Sequence, residues 1–499
     1  MNDVFLSLKG IYKSFGGVNA LNGVDLTIRR GEIHCLAGEN GSGKSTLIKV
    51  ISGVHPASAG EMTIEGCRVT GLTPIEAIQY GIQVIYQDFA VFSNLTVAEN
   101  IAMNHALMTG AKRMKWREAR RLALDAMEQI GAKMDPDALV EQLSVANKQM
   151  VAICRAIIND AKLLILDEPT TALTSNEIHK LYAIMRRLKE RGIAVVMVNH
   201  KLDEIYDIAD RLTILRNGEN ISTGLIGEYD RKRFVRDLTG RELADCYYQP
   251  ACCDEEIFRA EDIRCTGAFE GVSFTLRKGD VLGITGLLGS GCGQIGDALF
   301  GVTPVTGGRL SLHGKPIRIR SIQDAMRYRI GYVPEDRLTQ GLFLDRSILD
   351  NTVAASLARY FNGMRLNTEQ MAQDTRDWIH RIGCNAPGPE PSIRTLSGGN
   401  AQKMVIAKWL NTDPALLVLN GPTVGVDVGS KADIHAILHS LSEKGVGVIV
   451  ISDDLPELLH NCNHILVMRD GRPAATVRAT DVDATTLAHM LSDKDAVTA

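Results

Sequence analysis

The sequence predicts an α/β protein of two tandem copies of one domain, each with a mostly parallel sheet core, a β-rich N-terminal part and a helical insert. Three observations predict it. First, the chain repeats itself: GEIHCLAGENGSGKSTLIKVISGV (31–54) aligns with GDVLGITGLLGSGCGQIGDALFGV (279–302), and VIYQD (84–88) with YVPED (332–336), both at an offset of 248. Further on, QLSVANKQMVAICRAI (142–157) aligns with TLSGGNAQKMVIAKWL (395–410), and LLILDEPTTAL (163–173) with LLVLNGPTVGV (416–426), at an offset of 253. Self-similarity at a fixed spacing marks a duplicated structural unit. Second, each copy runs from an apolar strand through a glycine loop into a helix. Third, apolar runs of strand length, KLLILDE and IAVVMVNH, alternate with helical segments, which is the pattern of a parallel sheet flanked by helices.

The elements follow in order. Residues 1–240 form the first domain, the polar segment 241–256 is the expected linker, and residues 257–499 form the second domain. The change of offset implies a few residues inserted in the middle of the second copy. The last segment, ATDVDATTLAHMLSDKDAVTA, reads as a helix with a frayed tail.

Composition bounds the function. A chain of 499 residues is too long for one hydrophobic core. A net charge of −4 with mixed signs argues against a nucleic-acid-binding protein. No apolar run approaches the ~18 residues of a membrane span, and MNDVFLSLKG lacks the basic-then-apolar pattern of a secretion signal. No covalent membrane anchor is expected. Ten cysteines without a CxxC pair fit reduced thiols in a cytosolic protein.

The first copy carries complete phosphate chemistry. GENGSGKST (38–46) comprises Gly38, Glu39, Asn40, Gly41, Ser42, Gly43, Lys44, Ser45 and Thr46 and fits G-x-x-x-x-G-K-[ST] between a strand and a helix. Its backbone N–H groups and the helix N-terminus suit phosphate oxygens. Lys44 neutralises the β- and γ-phosphates, and the Ser45 hydroxyl suits Mg2+. LLILDEP ends an apolar strand in Asp167 and Glu168, and two adjacent acids there need a reason, because buried charge is costly unless paired or metal-bound. Asp167 is the expected magnesium ligand and Glu168 the residue that polarises the attacking water. A lone histidine at a strand end is usually structural, but His200 follows the carboxylate pair by one strand, where its imidazole can reach a γ-phosphate.

The order of phosphate loop, Gln87, LSVANKQ, LILDEPT and His200 resembles the nucleotide-binding domain of ABC transporters. LSGGN (396–400) is the most specific single motif. Two fused copies, with YVPEDR and LSGGN in the second, resemble the sugar-import ATPases of the ribose, galactose, xylose and arabinose type over about residues 4 to 480. The resemblance implies tandem ABC-type P-loop NTPase domains using ATP and Mg2+. It implies that Phe15 stacks on adenine, although plain core packing is the alternative for an aromatic there. It also implies that Gln87 touches magnesium and the attacking water, that residues 89–101 line a groove for a permease, and that TALT (171–174) touches the opposite copy. The domains of this family pack head to tail, so Lys44, Ser45, Asp167, Glu168 and His200 would share one ATP with Ser397, Gly398 and Gly399.

The other pairing is damaged in both its halves. Cys292, Gly293 and Gln294 stand where the first copy has Lys44, Ser45 and Thr46. Asn420 and Gly421 replace the two acids, and Asp453 stands in place of His200. The first copy's signature has Val145 and Ala146 where glycines are expected. The sugar-import ATPases that this chain resembles typically keep an aspartate–glutamate pair in the second copy, and this chain does not. The losses concentrate in one composite site, which at most binds. The expected function is the ATP-hydrolysing subunit of a monosaccharide or polyol importer, peripheral at the cytoplasmic face of the membrane. Its expected partners are two membrane permease subunits and an extracytoplasmic solute-binding protein. The alternatives are a soluble ABC protein acting on ribosomes, disfavoured by the short linker and negative charge, and an inactive regulatory subunit, disfavoured by the intact first copy.

Overall fold

The computed structural model describes residues 3–16, 18–86, 88–108, 115–170, 173–199, 201–241, 248, 253–287 and 289–492. The chain divides into two compact units, Met1–Leu243 and Ala244–Ala499.

Unit 1 opens with the long strands β1 (Val4–Phe15) and β2 (Val18–Arg29), then β3 (Ile33–Gly38) and helix α1 (Lys44–Ile51). Next come β4 (Ala59–Ile64), β5 (Cys67–Val69), α2 (Pro74–Gln79) and β6 (Ile82–Ile85). The helical insert is α3 (Val97–Met108), α4 (Trp116–Ile130) and α5 (Val145–Ile157). The unit closes with β7 (Leu163–Asp167), α6 (Ser175–Glu190), β8 (Ala194–Val198), α7 (Leu202–Ile208), β9 (Arg211–Arg216), β10 (Glu219–Leu225) and α8 (Arg231–Thr239). Strands β2-β1-β4-β5 make an antiparallel sheet, while β10-β9-β3-β8-β7-β6 make a second sheet. The latter is parallel from β9 to β6. Its central strands read Leu-Leu-Ile-Leu and Ala-Val-Val-Met-Val and are buried throughout, as a parallel sheet covered on both faces requires. Phe5, Leu6 and Leu8 of β1 join Leu47, Ile48 and Ile51 of α1 in one core, so the antiparallel sheet fixes the helix that follows the glycine loop.

Unit 2 repeats this plan. Strands β11 (Glu256–Cys265), β12 (Phe269–Arg277) and β13 (Val281–Gly286) lead to α9 (Cys292–Phe300), then β14 (Gly307–Leu312), β15 (Lys315–Ile317), α10 (Ile322–Arg327) and β16 (Ile330–Val333). The insert holds α11 (Ile348–Val353), a small hairpin of β17 (Phe361–Asn362) and β18 (Arg365–Leu366), α12 (Thr368–Arg381) and α13 (Gly398–Leu410). Then follow β19 (Leu416–Asn420), α14 (Val428–Glu443), β20 (Gly447–Ile451), α15 (Leu455–Asn461), β21 (His464–Arg469), β22 (Arg472–Arg478) and α16 (Ala484–Ser492). The sheet orders are β12-β11-β14-β15 and β16-β19-β20-β13-β21-β22, the same connectivity as in unit 1.

The repeat holds down to unusual backbone. Asp160 and Asp413 have φ of 52° and 54°, and Asn217 and Asp470 have 52° and 48°. Most of the expected linker lies outside the described residues. Tyr248, within it, docks on unit 2: its ring stacks on His439 with centroids 4.1 Å apart, and its hydroxyl donates to the Gly279 carbonyl at 3.1 Å.

Candidate nucleotide site

In unit 1 the loop between β3 and α1 is shaped by glycines that nothing else could replace. A Cβ on Gly38 would overlap Ser42 Oγ, and one on Gly43, at φ 101°, would come within 2.7 Å of the Ala20 carbonyl. Left-handed backbone of this kind is open mainly to glycine. Lys44 begins α1 and is buried, and its amine bridges the loop, donating to the Gly38 and Glu39 carbonyls at 2.7 and 2.8 Å. Ser45 is exposed on the first turn and Thr46 is half-buried. Thus Glu39, Asn40, Gly41 and Ser42 form a ring around a helix N-terminus whose N–H groups are available to an anion.

Asp167 ends β7 half-buried and is electrostatically coupled to Lys44, Lys49 and Glu168. Burial pushes its carboxyl above the usual range, Glu168 adds to the rise, and the two lysines oppose it. An acid held this way is stabilised by an added cation, so Ser45 and Asp167 are a donor set that fits magnesium. Glu168 sits at φ 47°, a left-handed conformation that an L side chain adopts at a cost. Its counterpart Gly421 has φ 59°. The backbone after the strand therefore has one shape in both units, and only unit 1 keeps a carboxylate there.

Sequence reasoning missed a fixture beneath this strand end. Glu204 on α7 accepts hydrogen bonds from Thr170 Oγ1 at 2.5 Å and Asn199 Nδ2 at 2.7 Å. It ties the segment after Glu168 to the end of β8, and Asn199 immediately precedes His200. In unit 2 Glu457 accepts from Thr423 at 2.8 Å and Ser452 at 2.7 Å, with His435 Nε2 at 2.7 Å. Burial alone would raise the Glu457 carboxyl, but these partners hold it below the usual range. The signal was in the repeat: Thr170 and Glu204 recur as Thr423 and Glu457 at the offset of 253.

Phe15 lies on the β1–β2 hairpin with 45% of its surface exposed and meets His55 edge-on at 5.2 Å. It is not a core residue, which leaves its ring available for stacking. Gln87, His200, Thr171 and Ala172 lie outside the described residues.

Ser397, Gly398 and Gly399 start α13 in unit 2. Ser397 is the N-cap, accepting from the Asn400 backbone N–H at 3.4 Å. A Cβ on Gly398 would approach Arg337 Nη2 to 2.9 Å, and one on Gly399 would overlap Ser430 on α14. Gly399 is thus required by packing inside its own unit, a reason the expected approach to phosphate had not included. Ser144 caps α5 of unit 1 in the same way, with Val145 following it and 40% exposed.

Comparison with known proteins agrees with this geometry. The family pattern described as ABC transporter matches residues 21–171 and 269–424. A putative ribose/galactose/methyl galactoside import ATP-binding protein of Burkholderia cenocepacia is 39% identical, over 97% of this chain and 93% of the relative. The ribose import ATP-binding protein RbsA of Lacticaseibacillus paracasei is 38% identical over 94% of each chain. Among solved structures, a nucleotide-free ATP-binding cassette from an ABC transporter is 26% identical, covering 48% of this chain and 96% of its own, with a TM-score of 0.43. With the family pattern repeated along both units and such relatives spanning nearly the whole length, the chain belongs to the ABC transporter family, as an ATPase of two tandem P-loop domains.

Proposed function

We propose that this protein is the ATP-hydrolysing subunit of an importer for a monosaccharide or a related small polyol. The observation that carries the reading is the likeness to sugar-import ATP-binding proteins along more than nine-tenths of both chains. It acts with a membrane permease of two subunits and an extracytoplasmic solute-binding protein, and it sits peripherally on the cytoplasmic side. In keeping with that, among the described residues no helix is long and apolar enough to cross a membrane. The relatives give no support to the ribosome-acting alternative.

The competent site joins the phosphate loop of unit 1 to the signature of unit 2. Lys44 exchanges its contacts with the loop carbonyls for phosphate oxygens, and the N–H groups of residues 41–46 take the rest of the triphosphate. Ser45 and Asp167 would hold magnesium, Gln87 would touch it and the attacking water, and the metal would supply charge neutralisation at the phosphates. Glu168 orients and polarises the attacking water, and His200 donates to the γ-phosphate. The Thr170–Glu204–Asn199 fixture supports that reading, because it couples the segments on which Glu168 and His200 lie. Phe15 stacks on the base. Ser397 and Gly398 present the start of α13 to the γ-phosphate from the other side, so ATP closes the pair and hydrolysis releases it.

Co-expression with candidate permease and receptor proteins tests this. Sugar uptake that requires this chain and is lost in E168Q is the expected result. A purified chain that neither associates with a permease nor supports uptake of any monosaccharide would refute it.

A further inference from the structure

We propose that each chain binds a single nucleotide, in unit 1, and that the corresponding loop of unit 2 has become a structural element that takes no Mg-nucleotide. The loop keeps its shape for reasons internal to the unit. A Cβ on Gly286 would overlap Ser290 Oγ, and one on Gly291, at φ 88°, would lie 2.6 Å from the Ala268 carbonyl. These are the same constraints that hold Gly38 and Gly43. The glycines therefore follow from packing against β12 and β21 with no phosphate needed to explain them.

The groups that would hold a nucleotide have been rewired. Cys292 occupies the lysine position, with its thiol 3.2 Å from Ser290 Oγ, and burial pushes that thiol up, leaving it uncharged. Gly293 supplies no hydroxyl, and a Cβ there would sit 3.3 Å from Asn420 Nδ2. Asn420, at the magnesium-acid position, hydrogen-bonds the Tyr332 phenol, which donates in turn to Asp297 Oδ1 at 2.9 Å. Unit 1 has Asp167, Val84 and Lys49 at these three positions. The metal acid and the second lysine have thus become the two ends of a chain of hydrogen bonds centred on a tyrosine.

Charge points the same way. Lys44 and Lys49 both act on Asp167 in unit 1, whereas their counterparts are Cys292 and Asp297. The exposed Asp453 adds a carboxylate at the end of β20. The cavity beside Gly293 and Asn420, about 850 Å³, is bordered by two basic residues, Arg337 and Lys408. Both are committed to backbone: Arg337 donates to the Val424 and Gly425 carbonyls at 2.7 and 3.3 Å, and Lys408 to that of Gly341 at 2.7 Å. A triphosphate would find carboxylates where it needs cations.

The base has lost its platform as well. In unit 1 the hairpin continues beyond the Lys13–Leu21 pair to Phe15–Val18. In unit 2 the matching pair, Cys265–Phe269, is closed by a three-residue turn. No residue corresponds to Phe15.

Two measurements on the full-length chain test this. Equilibrium dialysis with Mg2+ and a non-hydrolysable ATP analogue should saturate at one nucleotide per chain. Photolabelling with 8-azido-ATP, followed by peptide mapping, should mark unit 1 and leave residues 257–302, the hairpin and loop of unit 2, unlabelled. Two nucleotides per chain, or label in residues 257–302, would overturn the inference while leaving the proposed function standing. No binding at all would overturn both.

Discussion

Glu168 combines a chemical role with an unfavourable backbone, and the two can be separated by substitution. At φ 47° any L side chain is strained, whereas glycine is not. E168Q and E168A should both abolish steady-state hydrolysis, by at least about 100-fold, since each removes the carboxylate that polarises water. Of the variants, E168G alone should also gain stability. It is expected to exceed E168A by about 1 kcal/mol, which corresponds to a rise of ~2–4 °C in the melting of a unit of this size. Gly421 is unit 2's version of that exchange, made where no carboxylate is needed. Calorimetry on the two variants checks it, and equal melting temperatures would refute the strain argument. K44A differs in kind: it removes the ammonium that meets the phosphates, so bound ATP should fall, whereas E168Q should retain it.

At the scale of elements, α13 and α14 meet where Gly399 leaves no room for a side chain beside Ser430. G399A should therefore destabilise unit 2 by about 1–3 kcal/mol through overpacking. S430G should recover most of that loss in the double variant, giving a coupling that denaturant unfolding can measure. In unit 1 the equivalent pair is Ala146 and Glu177, and Glu177 folds back to cap its own helix, accepting from the Thr174 N–H at 2.9 Å. The seat of Tyr248 gives a pH dependence. Burial, and then the charge of His435, push the stacked His439 down to about 4. An unfolded histidine takes its proton near pH 6.5, so stability should fall as pH drops from about 6.5 to about 4 and be insensitive to this residue above that window. After allowance for solvent screening the loss is about 1–2 kcal/mol. H439F keeps a ring for Tyr248 and should flatten that slope, whatever it costs at neutral pH. An unchanged slope in urea titrations across the window would refute the assignment.

The molecule as a whole was legible in its sequence to the extent that its physics is local or repeated. The offsets of 248 and 253 already divided the chain, and strand–glycine–helix order announced the phosphate loop, because a helix N-terminus and left-handed glycines are encoded within ten residues. What could not be read required the third dimension. The Glu204 fixture joins residues 34 apart, Gly399 is explained by Ser430 across a helix pair, and the Asn420–Tyr332–Asp297 chain becomes visible when two strands and a helix are brought together. The roles of Ser397 and Gly398 reach furthest, since they are proposed to serve a nucleotide held by the other unit. S397R tests this directly. Ser397 caps α13 on a half-buried face of unit 2, and arginine there would set bulk and a long flexible charge before the N–H groups offered to the γ-phosphate. Losing one such electrostatic contact typically costs ~100- to 1,000-fold in turnover. Hydrolysis by the residues of unit 1 should fall by that order, although every one of them is untouched. Cap loss should lower unit 2's stability by about 1 kcal/mol, so S397A, which loses the cap and adds no bulk, is the control. S397A should retain far more activity than S397R at equal folded fraction. Undiminished turnover in S397R would mean that unit 1 completes its site without the start of α13.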